Sequence, residues 1–158
     1  MKVYLVSCSG PKQATKTWAY DIYNSQLYLL SRRWVHLQMD QNKDQWYILS
    51  GHWGLLHPCT IIEPYEFNLT KQPAAKRKTW GIHVAAQLAQ THRSSRITEV
   101  IILAGKMYVD AYKYGLEQLV SHEILNAGHP FLQQKITEPL AGLQVGQRLS
   151  WLRKELEF

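Results

Sequence analysis

The sequence is short of cysteine, of long apolar runs and of metal-binding spacings, and each shortage excludes a class of protein. Its only two cysteines, Cys8 and Cys59, cannot build a disulfide framework and do not form a CxxC pair. No apolar run approaches the roughly 18 residues that a membrane span needs. The seven histidines lack HxxxH and HExxH spacing, and there is no P-loop, Rossmann glycine fingerprint or Gly-x-Ser-x-Gly elbow. We therefore expect neither a metal nor a cofactor.

Acidic residues are also few, and the excess of basic residues favours an anionic partner. The 158 residues carry a formal net charge of +6 and a pI of about 9.3, so nucleic acid is the first candidate partner. Apolar residues make up 46% of the chain, which predicts a folded core rather than disorder. We expect a single domain over 1–158, cytoplasmic and monomeric by default, with the short apolar N-terminal run forming a strand and not a signal peptide.

Apolar runs alternate with helical patterns, which is typical of an α/β fold. Short runs rich in β-branched and aromatic residues predict buried parallel strands over 3–6, 46–49 and 100–104. Helical periodicity lies over 20–37, 74–90, 109–123 and 146–156, and a fourth short strand could lie near 131–136. This order predicts a three-layer sandwich, with a mostly parallel central sheet of three or four strands and helices on both faces.

The loops that follow the strands should hold the functional groups, because ligands of open α/β sheets bind at the carboxyl ends of the strands. The first loop offers a thiol, a hydroxyl and a cation at Cys8, Ser9 and Lys12. These groups could cradle a phosphate or sugar, or they could form a plain turn with a buried cysteine. The second loop belongs to the long irregular stretch 50–73, and such a stretch is usually functional in a compact domain.

That stretch concentrates histidines, aromatics and carboxylates. Two glycines bracket His52 and Trp53 and permit a sharp turn there. Glu63 precedes a proline, which favours an extended backbone with the side chain pointing outward. His57 could instead only complete a turn, and Glu66 could be an ordinary solvated carboxylate.

The third loop and the next helix add cations. Gly105 and Lys106 precede a helix whose N-terminus attracts anions, and Asp110 is either catalytic or a first-turn helix charge. Lys71, Lys76, Arg77 and Lys78 could follow a phosphate backbone, or they could form a solvated helix face.

Several short motifs resemble a family of small bacterial and phage α/β domains that is distantly similar to the YaaA peroxide-stress proteins. The shared positions span most of the chain: Cys8, Ser9 and Lys12; Ile22 and Tyr23; Ser50, Gly54, Leu55 and Leu56; Pro64 and Tyr65; Leu103, Ala104, Gly105 and Tyr108; Pro139, Leu140, Gly142, Leu143, Gly146 and Gln147. In one loop the family usually reads Ser-Ala-Lys-Tyr/His-Gly, whereas residues 50–54 here read Ser-Gly-His-Trp-Gly. The expected lysine is absent.

The resemblance implies a fold similar to that of uracil-DNA glycosylase, and it extends to anti-phage DNA glycosylases that excise modified cytosines such as α-glucosylated hydroxymethylcytosine. It implies phage DNA as the partner and an abasic site as the product. A non-catalytic DNA-binding or stress-response module of the YaaA type is the alternative, and a hydrolase of free nucleosides or nucleotides is a third.

For a glycosylase we assign roles by chemistry. A carboxylate stabilises the cationic sugar or activates water, and hydrogen-bond donors or cations stabilise the departing base. The catalytic candidates are Glu63, then Asp110, with His52 as a donor. The candidate nucleic-acid contacts are Ser9, Lys12, Lys76, Arg77, Lys78 and Lys106, of which Lys106 could also donate to the base. The candidate pocket for the base or its sugar substituent comprises Cys8, Ser50, Trp53, His57, Tyr65, Glu66 and Tyr108.

Overall fold

The computed structural model describes residues 1–8 and 10–157 of the chain. Within those residues, a mixed sheet contains β1 (Lys2–Ser7), β3 (Gln45–Ser50), β4 (Gly54–Leu56), β6 (Glu99–Leu103) and β7 (Lys135–Thr137). Their order is β4-β3-β1-β6-β7. All neighbours pair in parallel except β4, which is antiparallel to β3. A separate two-stranded ribbon pairs β2 (Thr17–Trp18) with β5 (Ile61–Ile62).

The helices are α1 (Ala19–Ile22), α2 (Gln26–Gln38), α3 (Ala74–Thr91), α4 (Lys106–Gln118) and α5 (Val145–Glu155). Successive residues of a strand point to opposite faces of the sheet. In β1, Val3 and Leu5 therefore join one buried cluster with α3 and α4, while Tyr4 and Val6 join another with α2 and α5. The predicted α/β sandwich with helices on both faces is confirmed.

Two predicted details were wrong, and each has a physical reason. The sheet has five strands rather than three or four within the described residues, because Gly54, at φ 74°, permits a tight turn into the short antiparallel β4. The helix predicted over 20–37 is broken. Lys12 and Tyr23 form a β-bridge, which draws Tyr23 out of the helix, and the Ser25 hydroxyl then caps α2 by accepting from the Tyr28 amide at 3.2 Å.

Other boundaries agree more closely. The fourth strand predicted near 131–136 is β7, and it follows a 3-10 turn at Pro130–Gln133. The third predicted helix, placed over 109–123, begins three residues earlier, at Lys106 directly after Gly105, and ends five residues earlier, at Gln118. Residues 50–73 contain β4, β5 and a 3-10 turn at Leu69–Lys71. Among the described residues, no helix has both the length and the apolar character that crossing a bilayer requires.

Candidate functional site: clefts at the carboxyl edge of the sheet

A cleft opens between the carboxyl ends of β1 and β6, where the chain leaves the two neighbouring strands toward opposite faces. After β1 it continues to α2, and after β6 it continues to α4. Such a divergence is where open α/β sheets place their ligands. The cleft, here called the switch-point cleft, measures about 590 Å³, which falls within the usual range for small-molecule sites.

The switch-point cleft is lined by hydroxyls, helix N-termini and a cation. Ser7 and Ser25 contribute hydroxyls, while Gly105 and Lys106 place the N-terminus of α4 on its wall. Arg148, from α5, donates through Nε to the Leu143 carbonyl at 2.8 Å. A Cβ at position 105 would lie only 3.3 Å from Arg148 Nη1, so the glycine leaves room for the guanidinium. A helix N-terminus beside an arginine favours anionic ligands.

A buried cluster of hydroxyls and one thiol lies beneath the adjoining loops. The Tyr65 hydroxyl is 2.7 Å from the hydroxyls of both Tyr23 and Ser50 and 3.6 Å from the Cys8 sulfur. Cys8 also lies 3.2 Å from the Leu49 carbonyl, and Ser50 accepts from the Trp53 amide at 2.9 Å. The cluster thus joins the loops after β1 and β3 to residue 65.

Burial keeps this cluster in its neutral form. It raises the pKa of the Cys8 thiol, against the hydrogen bonds from Tyr23 and Tyr65, which lower it. Burial also raises the pKa of the Tyr65 and Tyr23 hydroxyls above their usual value. At neutral pH the cluster therefore supplies uncharged donors and acceptors, and Cys8 is not a thiolate nucleophile.

Lys12 and Glu66 line a second cleft above the hydroxyl cluster, here called the Lys12 cleft, of about 610 Å³. The Lys12 ammonium lies 4.7 Å from the centre of the Tyr65 ring and donates to the Gly10 carbonyl at 3.3 Å. An adjoining hollow of about 440 Å³ is also lined by Lys12, Tyr65 and Glu66. A carboxylate and a cation therefore line the same clefts, and the carboxylate is that of the exposed Glu66. Glu63, the first candidate from the sequence, is also exposed, directly after β5, and lines neither of these two clefts.

The Lys12 cleft adjoins its neighbours, with which it shares wall residues. Asn68 lines both the Lys12 cleft and the switch-point cleft. Phe67 lines the Lys12 cleft and a third one of about 370 Å³ that Trp80 and Lys76 also line, here called the Trp80 cleft. The carboxyl edge therefore carries a depression made of three adjoining clefts.

Exposed aromatic rings border this depression. The His52 ring lies 4.7 Å from that of Trp53, 5.2 Å from that of Tyr65 and 6.1 Å from that of Phe67, measured between centres. Trp53 and Phe67 are 47% and 41% exposed. Tyr108 also lines the switch-point cleft, but it is buried and packs edge-on against Trp80.

The structure places several predicted residues away from the depression or within ordinary contacts. His57 accepts from the Cys59 amide at 3.0 Å, which is the turn role that the sequence left open. Asp110 forms an exposed ion pair with Lys106, which is one helical turn away; the two charged groups are 2.7 Å apart.

Two of the predicted nucleic-acid contacts also lie in ordinary contacts within the protein. Arg77 donates to the Gln72 carbonyl, and the Lys78 ammonium lies 5.1 Å from the centre of the Tyr114 ring. Ser9 lies outside the described residues.

Sequence reasoning missed Phe67, Asn68 and Arg148 as wall residues and Tyr23 as part of the hydroxyl cluster. Phe67 and Asn68 directly follow the predicted Glu66, so a longer window would have included them. Arg148 comes from a terminal helix distant in sequence, and no local pattern indicates that it returns to the cleft. Within the described part of the chain, no three His, Cys, Asp or Glu side chains are grouped so that they could hold a metal ion.

The fold and the adjoining clefts define a three-layer α/β protein with clefts at the carboxyl edge of its sheet. The chain belongs to a family of unknown function (DUF6884), whose model matches residues 3–154. It is similar to a UPF0246 protein of Shewanella pealeana, with 29% identity over 110 residues that cover 66% of this chain and 42% of that protein. The chain thus spans less than half the length of this relative. No solved structure matches the chain.

Proposed function

We propose that the protein is a DNA glycosylase of the uracil-DNA-glycosylase-like kind. It would hydrolyse the N-glycosidic bond of a modified base, such as glycosylated hydroxymethylcytosine of phage DNA, and leave an abasic site in defence against phage. The observation that carries the proposal is that Glu66 and Lys12 line the same two clefts, one of which Tyr65 also lines, with the His52 ring 5.2 Å from the Tyr65 ring. Support comes also from the net charge of +6 and from the motif resemblance.

The chemistry of the reaction fits those groups. Breaking the bond builds positive charge on the sugar, which the Glu66 carboxylate can stabilise while activating a water molecule. It builds negative charge on the departing base, which the Lys12 ammonium or a ring nitrogen of His52 can stabilise. The buried hydroxyl cluster holds the Tyr65 ring in place, and this ring forms the floor below the Lys12 ammonium.

The remaining clefts suit the rest of a nucleotide substrate. A base must leave the duplex stack before its glycosidic bond can be reached. The switch-point cleft has room for the displaced nucleotide, and its Arg148 and the N-terminus of α4 favour an adjacent phosphate. Asn68, which this cleft shares with the Lys12 cleft, would lie beside the sugar that joins the two.

Selectivity for a modified base follows from the polar walls. Groups placed to hydrogen-bond a sugar substituent are left unpaired when the substituent is missing, which can discriminate by several orders of magnitude. Exposed Trp53 and His52 are suited to stack on such a substituent. We therefore expect abasic sites in phage DNA with glycosylated cytosine and none in unmodified DNA. The measurement is strand cleavage by an abasic-site endonuclease after incubation with the purified protein, and equal cleavage of both DNAs would refute the selectivity.

Two glutamine variants identify the carboxylate. Glu66→Gln removes the charge while keeping the volume, and we expect it to reduce base release at least about a hundredfold with little effect on DNA affinity. Glu63→Gln and the exposed Glu155→Gln, at the end of α5, serve as near and distant controls. If Glu63→Gln abolishes release and Glu66→Gln does not, the role belongs to Glu63. If neither Glu66→Gln nor Glu63→Gln slows base release, neither of these two carboxylates is catalytic and Asp110 is tested next.

The non-catalytic DNA-binding or stress-response module of the YaaA type remains the second candidate, because the similar UPF0246 protein is YaaA-like. This candidate predicts that the protein binds DNA tightly and releases no base from any DNA. A hydrolase of free nucleosides or nucleotides is favoured by the mononucleotide-scale volume of the switch-point cleft. This candidate predicts base release from free nucleotides and none from DNA. An assay for released base with both substrates therefore distinguishes the glycosylase, the non-catalytic module and the nucleotide hydrolase.

A further inference from the structure

Phe67 is an exposed aromatic wall between two clefts, and lysines line both of them. On one side, Lys12 and Lys71 line the Lys12 cleft; on the other, Lys76 lines the Trp80 cleft. A side chain that is 41% exposed and stands between cations is an unusual place for a phenylalanine, because apolar burial contributes nothing to its exposed part.

The Phe67 ring lies directly against the backbone of the turn after β3. A Cβ at position 51 would lie 2.8 Å from Phe67 Cδ1 and 3.1 Å from Leu69 Cβ. Gly51 therefore lets the ring rest directly on the turn after β3. The rings of His52 and Trp53 continue the aromatic surface from the same turn. This aromatic surface of His52, Trp53 and Phe67 is thus positioned by one short turn.

Alternation of exposed rings with cations is the arrangement that binds single-stranded nucleic acid. The bases of a single strand stack on aromatic rings while its phosphates follow the cations. A duplex buries its base faces in its own stack, so only its phosphates could meet this surface. An acidic peptide could pair with the lysines, but it has no need of flat π-faces beside them, so the exposed rings would be left unexplained.

We propose that Phe67, with His52 and Trp53, is a stacking platform for unpaired nucleotides of a DNA strand whose phosphates lie against Lys12, Lys71 and Lys76. This rests on the proposed action on DNA and deepens it, because it makes the bound form a locally single-stranded segment next to the reacting nucleotide. Phe67 contacts the neighbouring bases, while the reacting nucleotide occupies the clefts with its base substituent against His52 and Trp53.

The experiment compares four end-labelled probes of equal length by fluorescence anisotropy: oligothymidine, oligouridine, a blunt duplex and a strand of abasic deoxyribose phosphates. We expect the full-length protein to bind oligothymidine more tightly than the duplex. Phe67→Ala should weaken oligothymidine binding by about 5- to 150-fold, the range for loss of one stacked base. It should leave binding to the abasic strand unchanged, because that strand has phosphates but no bases.

Three further variants distinguish aromatic stacking from the effect of apolar side-chain volume. Phe67→Trp should retain the affinity, whereas Phe67→Leu, which keeps apolar volume without a π-face, should lose it. Ile124→Ala removes an apolar side chain of similar exposure, 42%, outside the aromatic surface, and should change nothing. Equal loss on the abasic strand, undiminished binding by Phe67→Leu, tighter binding of the duplex or a preference for oligouridine would overturn the proposal.

Failure of this platform and failure of the glycosylase proposal give different results. Base release from phage DNA that is unaffected by Phe67→Ala, together with unchanged oligothymidine affinity, removes the platform and leaves the glycosylase. Absence of base release together with a Phe67-dependent preference for oligothymidine removes the glycosylase and leaves a single-strand-binding surface.

Discussion

The Tyr65 hydroxyl ties together three segments that are distant in sequence. It contacts Tyr23 before α2, Ser50 at the end of β3 and Cys8 after β1. Because Tyr23 and Ser50 are both fully buried, water cannot replace a partner that is lost there. The Tyr65 hydroxyl therefore links the loop that carries Glu66, one residue further along, to the ends of β1 and β3.

Tyr65→Phe tests this dependence with the smallest possible change. It removes the shared partner of two buried hydroxyls, and we expect the free energy of unfolding to fall by about 1–3 kcal/mol. Urea denaturation measures the change. Tyr114→Phe is the matched control, because the half-buried ring near Lys78 is kept, and we expect its change to stay within about 0.5 kcal/mol. Equal stability of Tyr65→Phe and the wild type would contradict a structural role for the hydroxyl cluster.

Residue types were easier to predict from sequence than residue roles. The motif around Pro64 and Tyr65 indicated a tyrosine of importance, but its hydroxyl proves to join a hydrogen-bonded cluster while one ring face lies under Lys12. His57 and Asp110 belong to residue types typical of catalytic sites, yet they complete a turn and an ion pair. Such roles depend on partners far away in sequence, which periodicity and spacing do not report.

At the scale of elements, α3 and α4 approach each other so closely that side chains are excluded at two positions. A Cβ on Gly81 would lie 1.8 Å from the Ala111 carbonyl oxygen, and one on Gly115 would lie 2.0 Å from the Gly81 carbonyl oxygen. The two helices thus pack backbone against backbone. The N-terminal ends of both helices, which carry Lys76 and Lys106, lie at the carboxyl edge.

Gly81→Ala should therefore destabilise the protein although alanine is the better helix former. Alanine gains up to about 1 kcal/mol of helix propensity, but the new methyl group must force the helices apart, at a cost of about 3 kcal/mol or more. Chemical denaturation followed by circular dichroism gives the net change. Gly146→Ala in α5 is the control, because no described atom lies within 4 Å of the new Cβ and the propensity gain should appear there as stabilisation. A neutral Gly81→Ala would contradict the close approach.

Elements with strong periodicity could be predicted, and those that depend on distant contacts could not. The sequence indicated α3 to within one residue at each end, because its apolar positions face one buried cluster. The three residues of β4 are too few to show a period, and only pairing with β3 makes them a strand. The break before α2 depends on the bridge between Lys12 and Tyr23, two residues that local propensity treats separately.

At the scale of the whole molecule, cations are found at both ends of the sheet. Lys12, Lys71, Lys76, Lys106 and Arg148 line the clefts at the carboxyl edge. Lys43 lies just before β3, at the opposite edge. A net charge of +6 attracts DNA from a distance wherever the lysines lie, whereas a bound phosphate responds only to the cations that it contacts.

This difference yields a prediction that distinguishes DNA contact at the carboxyl edge from attraction by the net positive charge alone. Lys12→Gln and Lys43→Gln each remove one positive charge, so they alter long-range attraction equally. If phosphates lie against the carboxyl edge, Lys12→Gln should lower the slope of log affinity against log salt concentration by about 0.7–0.9, the contribution of one phosphate contact. Lys43→Gln should leave that slope unchanged. Anisotropy titrations over a range of salt concentrations give both slopes. Equal changes in the two variants would mean that only the net charge of the protein affects DNA binding. The carboxyl edge would then not be the surface that DNA contacts.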